Sequence, residues 1–132
     1  MIYQIEIITR TQTEFVNVTS QIQELVGQSE VNEGICYLYV PHTTAAVTIN
    51  ESADRNVVKD IIFTLNKVIP FEDKYRHLEG NSAAHIKASI IGPSETIPVE
   101  NGRLMLGTWQ GIFFGEFDGP KRRKMLVKIV AC

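Results

Sequence analysis

Polar and apolar residues alternate along several short stretches of the chain, which is the pattern of half-buried β-strands. In the first stretch, Ile2–Thr9, the side chains of Tyr3, Ile5 and Ile7 fall on one face. The same alternation, or a short apolar run, predicts seven more strands: Phe15–Val18, Ile35–Val40, Val47–Ile49, Glu95–Val99, Leu104–Trp109, Ile112–Phe117 and Met125–Val130. Because Ile35–Val40 is apolar on both faces, we expect this strand at the centre of a sheet.

Three other segments carry the features of helices. Their predicted bounds are Ser20 to Gly27, Ser52 to Pro70 and, after Asn81 as N-cap, Ser82 to Ile91. Ser20 with Gln23 three residues later has the form of a capping box, and Gly27 is the expected stop. Ser52 can cap the second helix, and Gly92-Pro93 ends the third.

In the resulting order, ββαββααββββ, strands and helices neither alternate strictly nor fall into separate halves of the chain. It predicts an α+β fold with a mostly antiparallel sheet, about three helices, and those helices on one side of the sheet. No linker, internal repeat or low-complexity tract interrupts the chain. We therefore expect one compact domain over residues 1–132.

Composition narrows the classes of function. The formal net charge of −2 lacks the basic excess that nucleic-acid binding requires, so no nucleic-acid partner is expected. No apolar run approaches the roughly 20 residues of a membrane span, and the alternating N-terminus is unlike a signal peptide. Cys36 lies in an apolar run and Cys132 is the last residue, so a thiolate metal site is not expected. A cytoplasmic protein without membrane contact is the expectation.

The three histidines are the main candidates for chemistry, because imidazole is both a common metal ligand and a proton carrier. His42, His77 and His85 each lie at the end of a predicted element. On one continuous helix His77 and His85 would be roughly 12 Å apart, too far for a shared ion. The turn Glu79-Gly80-Asn81 breaks that helix and lets the three converge. The alternative is that His42 simply ends a strand and the other two are ordinary surface or capping residues.

Two features of the sequence are candidates for binding an anion. Lys121-Arg122-Arg123-Lys124 is the only concentrated positive charge, and it is either a solvated turn or a phosphate clamp. The free N–H groups near Ser82, at the start of the third helix, form a second candidate. Any of Glu51, Glu79 and Glu116 can orient an imidazole or move a proton.

Several motifs together resemble the YjbQ-like family, whose members are described as secondary thiamine-phosphate synthases. The resemblance covers about Thr13 to Ala131 and rests on Pro41-His42-Thr43-Thr44-Ala45, Asn50-Glu51, the segment from His77 to Ser89, Gly107-Thr108-Trp109-Gln110 and Glu116-Phe117-Asp118-Gly119-Pro120. It implies a compact, two-layered α+β fold, a homotrimer, and a polar pocket in which the matched histidines hold a metal ion, zinc first.

The matched motifs also imply that Asn50, Asn81, Trp109, Gln110 and Glu116 contribute to that pocket. One departure from the family pattern concerns anion binding. The pattern places arginine directly after Gly-Pro, where this chain has Lys121, which lacks the bidentate fork of arginine. We therefore favour Arg123 over Lys121 as the anion-binding group.

From these residues we expect a metal-assisted enzyme that acts on a small phosphorylated substrate and resembles thiamine-phosphate synthase. His42, His77 and His85 would hold the metal, and Arg123 with the start of the third helix would bind phosphate. Glu51 or Glu79 would handle the proton. Metal-assisted hydrolysis is as compatible as group transfer, and a non-catalytic trimer that binds a metal or an anionic metabolite is the alternative.

Overall fold

The computed structural model describes all of residues 1–132, which form eight strands and three helices. The strands are β1 (Ile2–Ile8), β2 (Glu14–Asn17), β3 (Gly34–Tyr39), β4 (Ala45–Glu51), β5 (Ser94–Glu100), β6 (Arg103–Leu104), β7 (Gln110–Glu116) and β8 (Arg122–Ala131). The helices are α1 (Thr19–Ser29), α2 (Arg55–Val68) and α3 (Ser82–Ile91). The element order and the α+β class are as predicted.

The strands form two sheets in which every pair of neighbours is antiparallel. The large sheet has the order β1-β8-β3-β5-β6, and the small sheet has the order β2-β7-β4. The strand predicted at the centre of a sheet, β3, lies in the middle of the large one. Its outer face nevertheless carries the exposed Tyr37 and Tyr39, so only one face of this strand is buried.

The main core lies between the two sheets. It joins inward residues of the large sheet, such as Leu38 and Val127, to Ala45 and Val47 of the small sheet. Alternation along β4 sends Ala46 to the other side of the small sheet, because neighbouring side chains of a strand point to opposite faces. There Ala46 packs against α3 through Ala84 and Ala88, in a second apolar cluster that includes Phe117.

The helices are not all on one side, contrary to the expectation. α1 buries Ile22 and Val26 in the core between the sheets, whereas α3 covers the outer face of the small sheet. The two positions follow from the second sheet, which gives the helices two apolar surfaces instead of one.

The start and end of α1 also differ from the prediction. Asn17, rather than Ser20, stabilises the start, since its Oδ1 atom accepts hydrogen bonds from the N–H and hydroxyl of Thr19. Gln23 forms no capping box, because its amide donates to Gly102 O and accepts from Leu104 N. The helix continues through Gly27 and ends at Ser29.

Two further predictions were wrong in detail. Asp54, not Ser52, caps α2, since its Oδ1 atom accepts the N–H of Asn56 at 2.9 Å. Of the predicted strand Leu104–Trp109, only Leu104 belongs to a strand, as the last residue of β6. No helix of the chain combines the length and the apolar character needed to span a bilayer.

Candidate functional site

An open polar cavity of about 770 Å³ lies where β3 ends, before β4 begins. Its wall contains His42, His77 and His85, together with Glu79, Asn81 and nine further residues. We call it the histidine cavity. Only two of its fourteen lining residues are hydrophobic, so its surface suits a polar or charged ligand better than an apolar one.

Three different segments carry the histidines to this cavity. Pro41 follows the end of β3, and His42 comes directly after it. His77 lies in the irregular segment between α2 and α3, and His85 lies in the first turns of α3. Gly80, at a φ of 79°, provides the bend that brings His77 back over the start of α3. The rings of His77 and His85 are 5.3 Å apart between centroids and nearly perpendicular.

The ring of His42 is fixed by the neighbouring strand. Its Nε2 atom accepts a hydrogen bond of 3.0 Å from the backbone N–H of Lys124. An accepting Nε2 carries no proton, so the neutral ring must carry its proton on Nδ1. Burial lowers the pKa of His42, and the positive charge of Arg123 lowers it further. Both effects keep this ring neutral.

The residues of the histidine cavity do not fit a metal ion held by all three histidines. In this arrangement Nε2 of His42 is occupied by the Lys124 N–H and Nδ1 carries the proton, so neither nitrogen offers a lone pair to a metal. Nowhere in the chain does a group of three His, Cys, Asp or Glu side chains have the arrangement to hold a metal ion. The close pair of His77 and His85 is the part of the predicted triad that remains available.

Arg123 forms part of the cavity wall and is held rigidly from behind. Its Nε and Nη2 atoms donate to the two carboxylate oxygens of Glu116 at 2.8 and 2.5 Å, and Nη2 also donates to Thr44 Oγ1 at 2.7 Å. The side chains of Arg123 and Glu116 are 5% and 0% exposed. None of these bonds uses Nη1, so this nitrogen is the donor that the guanidinium has left for a ligand of the cavity.

Glu116 is thus the support of Arg123 and does not itself line the cavity. Burial alone would raise the pKa of Glu116, but hydrogen bonds from Arg123, from the Asp118 N–H and from the Thr9 hydroxyl hold it below its usual value. The carboxylate is therefore ionised at neutral pH. It fixes the guanidinium in place and also offsets its charge.

Lys121 is exposed and also has a carboxylate partner. Its Nζ atom is 2.7 Å from Oδ2 of Asp118, which accepts a second hydrogen bond from Asn81 Nδ2 at 3.0 Å. Burial would raise the pKa of Asp118, but these two donors hold it below its ordinary value. The Oδ1 atom of Asn81 is buried and has no hydrogen-bond donor. Lys121 and Arg123 therefore reach the cavity wall already paired with acids.

Four residues predicted for the same pocket lie elsewhere. Asn50 and Glu51 are at the far end of β4, where Glu51 pairs with Gln110 in the sheet and Trp109 is exposed next to it. Since β4 begins beside Thr44 and runs for seven residues, this end is about 20 Å from the histidine cavity. Within one chain these four residues cannot share a ligand with the histidines. Ser82 lies beside His77 and His85 in an adjoining depression.

Sequence reasoning missed Asp118 and Thr44 as residues of the cavity wall. Asp118 was interpreted only as part of a turn, although the turn follows Glu116 and precedes the basic run. Thr44 belongs to the segment that follows His42, and its polar side chain directly before the apolar run Ala45–Val47 is the available signal. Its hydroxyl accepts from Arg123, a contact between residues 79 positions apart.

Two antiparallel sheets with an open histidine cavity at one end define an α+β protein with a polar cavity. The family model described as "UPF0047 protein YjbQ-like" matches residues 3–132. The chain belongs to this family.

Relatives span the whole chain. It is 51% identical to the UPF0047 protein MJ1081 of Methanocaldococcus jannaschii over 130 residues, covering 98% of this chain and 94% of that one. It is 44% identical to the UPF0047 protein YugU of Bacillus subtilis, with 98% and 99% covered. A crystal structure of a YjbQ/UPF0047 family protein from Clostridium acetobutylicum superposes with a TM-score of 0.95 at 48% identity, covering 97% and 99%. These names state a family and no activity.

Proposed function

We propose that the histidine cavity binds a small phosphorylated metabolite and acts on it, in a reaction similar to thiamine-phosphate synthesis. The observation that carries this proposal is the fixed guanidinium of Arg123 on the wall of a cavity with three imidazoles. A rigid donor aimed at an anion needs little reorganisation when the anion binds. Phosphate is one of the anions whose oxygens match the donor geometry of a guanidinium.

In such a reaction a pyrimidine diphosphate loses pyrophosphate and the nitrogen of a thiazole phosphate takes its place. Negative charge grows on the leaving group, so the donors that matter are those that meet its oxygens. Nη1 of Arg123 is the free donor of the guanidinium. Lys121 can add a second contact when it exchanges Asp118 for a phosphate oxygen. Because both cations have acid partners, we expect a phosphate to be held by directed hydrogen bonds more than by net charge.

Proton transfer would fall to the exposed side of the cavity. Glu79 lines the cavity and forms no hydrogen bond, and it is therefore the carboxylate available to move a proton. The rings of His77 and His85 are the neighbouring imidazoles.

A divalent metal ion, zinc first, is the cofactor that the family resemblance implies. The proton position on His42 argues against a three-histidine site, so no step of the proposed reaction is assigned to a metal. Metal content of protein purified without chelator tests the remaining possibility. Zinc that is retained in His42→Ala and lost in His85→Ala would identify His85 as a ligand and His42 as a non-ligand.

A homotrimer in the cytoplasm completes the proposal, and it too rests on the resemblance. Exposed apolar side chains support association with another surface. They include Tyr37 and Tyr39 on the outer face of the large sheet, and Phe63 and Val68 of α2, which are 69% and 70% exposed. Large exposed apolar patches mark association surfaces in soluble proteins, and these side chains are candidates for such a surface.

Turnover tests the proposed activity. Purified protein is incubated with a panel of phosphorylated substrates that includes the pyrimidine diphosphate and thiazole phosphate precursors, and product is quantified. We expect product that is lost in Glu79→Gln and His77→Ala, both at exposed positions where folding is not at risk. Saturable binding of these compounds with no product above the variants would instead identify a non-catalytic metabolite-binding protein.

A further inference from the structure

A second cavity, of about 400 Å³, lies at the other end of the small sheet. It is formed where β2 and the end of β4 meet the start of α2, and it shares no residue with the histidine cavity. Its volume falls within the usual range for small-molecule sites. We call it the phenylalanine cavity, after Phe15 and Phe113 in its wall.

The apolar part of this cavity is built by two aromatic rings and Val58 of α2. Phe113 is 6% exposed and therefore fixed in the sheet, whereas Phe15 is half-buried. Phe15 can lie close to the sheet because its partner in β7 is Gly115, whose added Cβ would come within 3.1 Å of the Phe15 ring. The glycine lets the Phe15 ring lie against β7, where it packs edge-on with Phe117 at 5.9 Å between centroids and still lines the cavity.

The polar part is positively charged and unpaired. Arg55 and Lys59 lie one turn apart on α2 and both line the cavity. The three ion pairs of the chain join other residues, so neither cation has a carboxylate within 4.0 Å. Glu51 is the one carboxylate that lines the same cavity, and its Oε2 atom accepts the N–H of Ala53 at 3.1 Å. Like charges at this spacing destabilise a helix unless an anion offsets them.

An amide donor completes the polar side. Asn17 lines the same cavity, and its Oδ1 atom accepts both the N–H and the hydroxyl of Thr19. The orientation of the amide is thereby fixed, and its two N–H donors have no partner in the chain. Three sets of donors therefore surround an apolar surface, and their two cations outnumber the one carboxylate of the wall, Glu51.

We propose that the phenylalanine cavity is a second ligand site, which binds a small organic anion made of a flat apolar body and a phosphate or carboxylate group. The body stacks against Phe15 and Phe113, and the anionic group is bound by Arg55, Lys59 and the Asn17 amide. This site is independent of the chemistry proposed for the histidine cavity, from which it is separated by the length of the small sheet.

Phenyl phosphate and benzoate are suitable probes, and each is titrated into ¹⁵N-labelled protein while backbone amide resonances are followed by NMR. We expect saturable shifts centred on Phe15, Phe113 and Arg55 with at least one of the two, and the tighter probe shows which anionic group the site takes. Inorganic phosphate has the anionic group without the ring, and phenol has the ring without the anionic group. Each should therefore bind at least about tenfold more weakly than the tighter probe.

The double variant Arg55→Gln/Lys59→Gln should weaken binding of the tighter probe by about tenfold or more, through loss of two charge-assisted contacts. Lys67→Gln, in the last turn of the same helix, removes an exposed cation away from the cavity and should leave binding unchanged. Equal binding by the double variant and the wild type would overturn the proposal. So would saturable shifts confined to the histidine cavity, or no saturable shift with either probe.

Discussion

At the scale of single residues, the pair of Glu116 and Arg123 fixes one cation in the wall of the histidine cavity. Both side chains are buried, and every carboxylate oxygen of Glu116 has a donor. Breaking a buried ion pair on one side leaves an uncompensated charge and costs about 3–5 kcal/mol. We expect Glu116→Leu to lower the free energy of unfolding by about that amount, measured by chemical denaturation.

A double variant separates the cost of the orphaned charge from that of lost packing. Glu116→Leu combined with Arg123→Met removes both charges, and replacing a buried pair by apolar residues is often nearly neutral. The double variant should therefore be more stable than Glu116→Leu alone. The single variant Arg123→Met completes the comparison. If the loss of unfolding free energy in the double variant equals the sum of the losses in the two single variants, the two side chains are not coupled and the described support of Arg123 is wrong.

His42 gives a prediction about pH. Its folded pKa is lowered by burial and by Arg123, whereas the unfolded value is near 6.5. Below that value the unfolded chain binds the proton more readily, so His42 should reduce the stability of the fold as the pH falls. Between about pH 7 and pH 5 the free energy of unfolding should fall more in the wild type than in His42→Gln. The glutamine oxygen can still accept the Lys124 N–H without titrating.

The control for this experiment is His77→Gln, which removes an imidazole from the exposed side of the same cavity. An identical pH dependence in the wild type and His42→Gln would contradict the assignment of a neutral, fixed ring. The tautomer can be measured separately, because the ¹⁵N shifts of an imidazole distinguish a protonated Nδ1 from a protonated Nε2. We expect the proton on Nδ1.

At the scale of elements, strands were predicted better than helix ends. The alternating pattern of Ile2–Thr9 and the apolar run Ile35–Val40 depend on burial, which the sheets impose over several residues at once. A helix cap is one hydrogen bond, and several polar residues compete for it. Asn17 and Asp54 form the helix-start contacts that the sequence predicts for Ser20 and Ser52. Only the geometry of the preceding strand decides between such neighbours.

Two glycines test the description of these elements. Gly27 lies inside α1 and an added Cβ meets nothing within 4 Å, so Gly27→Ala should raise the free energy of unfolding by about 0.5–1 kcal/mol. In Gly119 the added Cβ would collide with the backbone oxygen of Thr11 and lie 2.8 Å from Glu116. Gly119→Ala should therefore destabilise the fold. Thermal denaturation of both variants gives the signs, and a destabilising Gly27→Ala would restore the predicted helix end there.

At the scale of the whole molecule, the family motifs separate into two groups at opposite ends of the small sheet. His42 and Arg123 lie at one end, and Glu51 with Trp109 and Gln110 lies at the other. The order of motifs along a sequence does not predict which residues of two strands are paired. In the structure Glu51 pairs with Gln110 at the end of β4 that is far from the histidines. The convergence of the histidines, by contrast, could be inferred from a glycine-containing bend between two of them.

The association state is a prediction at the same scale. A homotrimer would have three times the 14.9 kDa mass of the chain, which native mass spectrometry or light scattering measures directly. Replacing Tyr37 and Tyr39 by serine should weaken assembly if the outer face of the large sheet is the contact. A monomer at all concentrations would contradict the proposed trimer, and it would leave the phenylalanine and histidine cavities as properties of the single chain.

The most direct test of the central claim is a titration with pyrophosphate, the proposed leaving group, followed through the imidazole C–H resonances in NMR. The chain has only three histidines, so single variants assign the signals. We predict saturable shifts of His42, His77 and His85, weakened in Lys121→Gln. Unmoved imidazole signals at saturating pyrophosphate would contradict the claim that this cavity recognises phosphate.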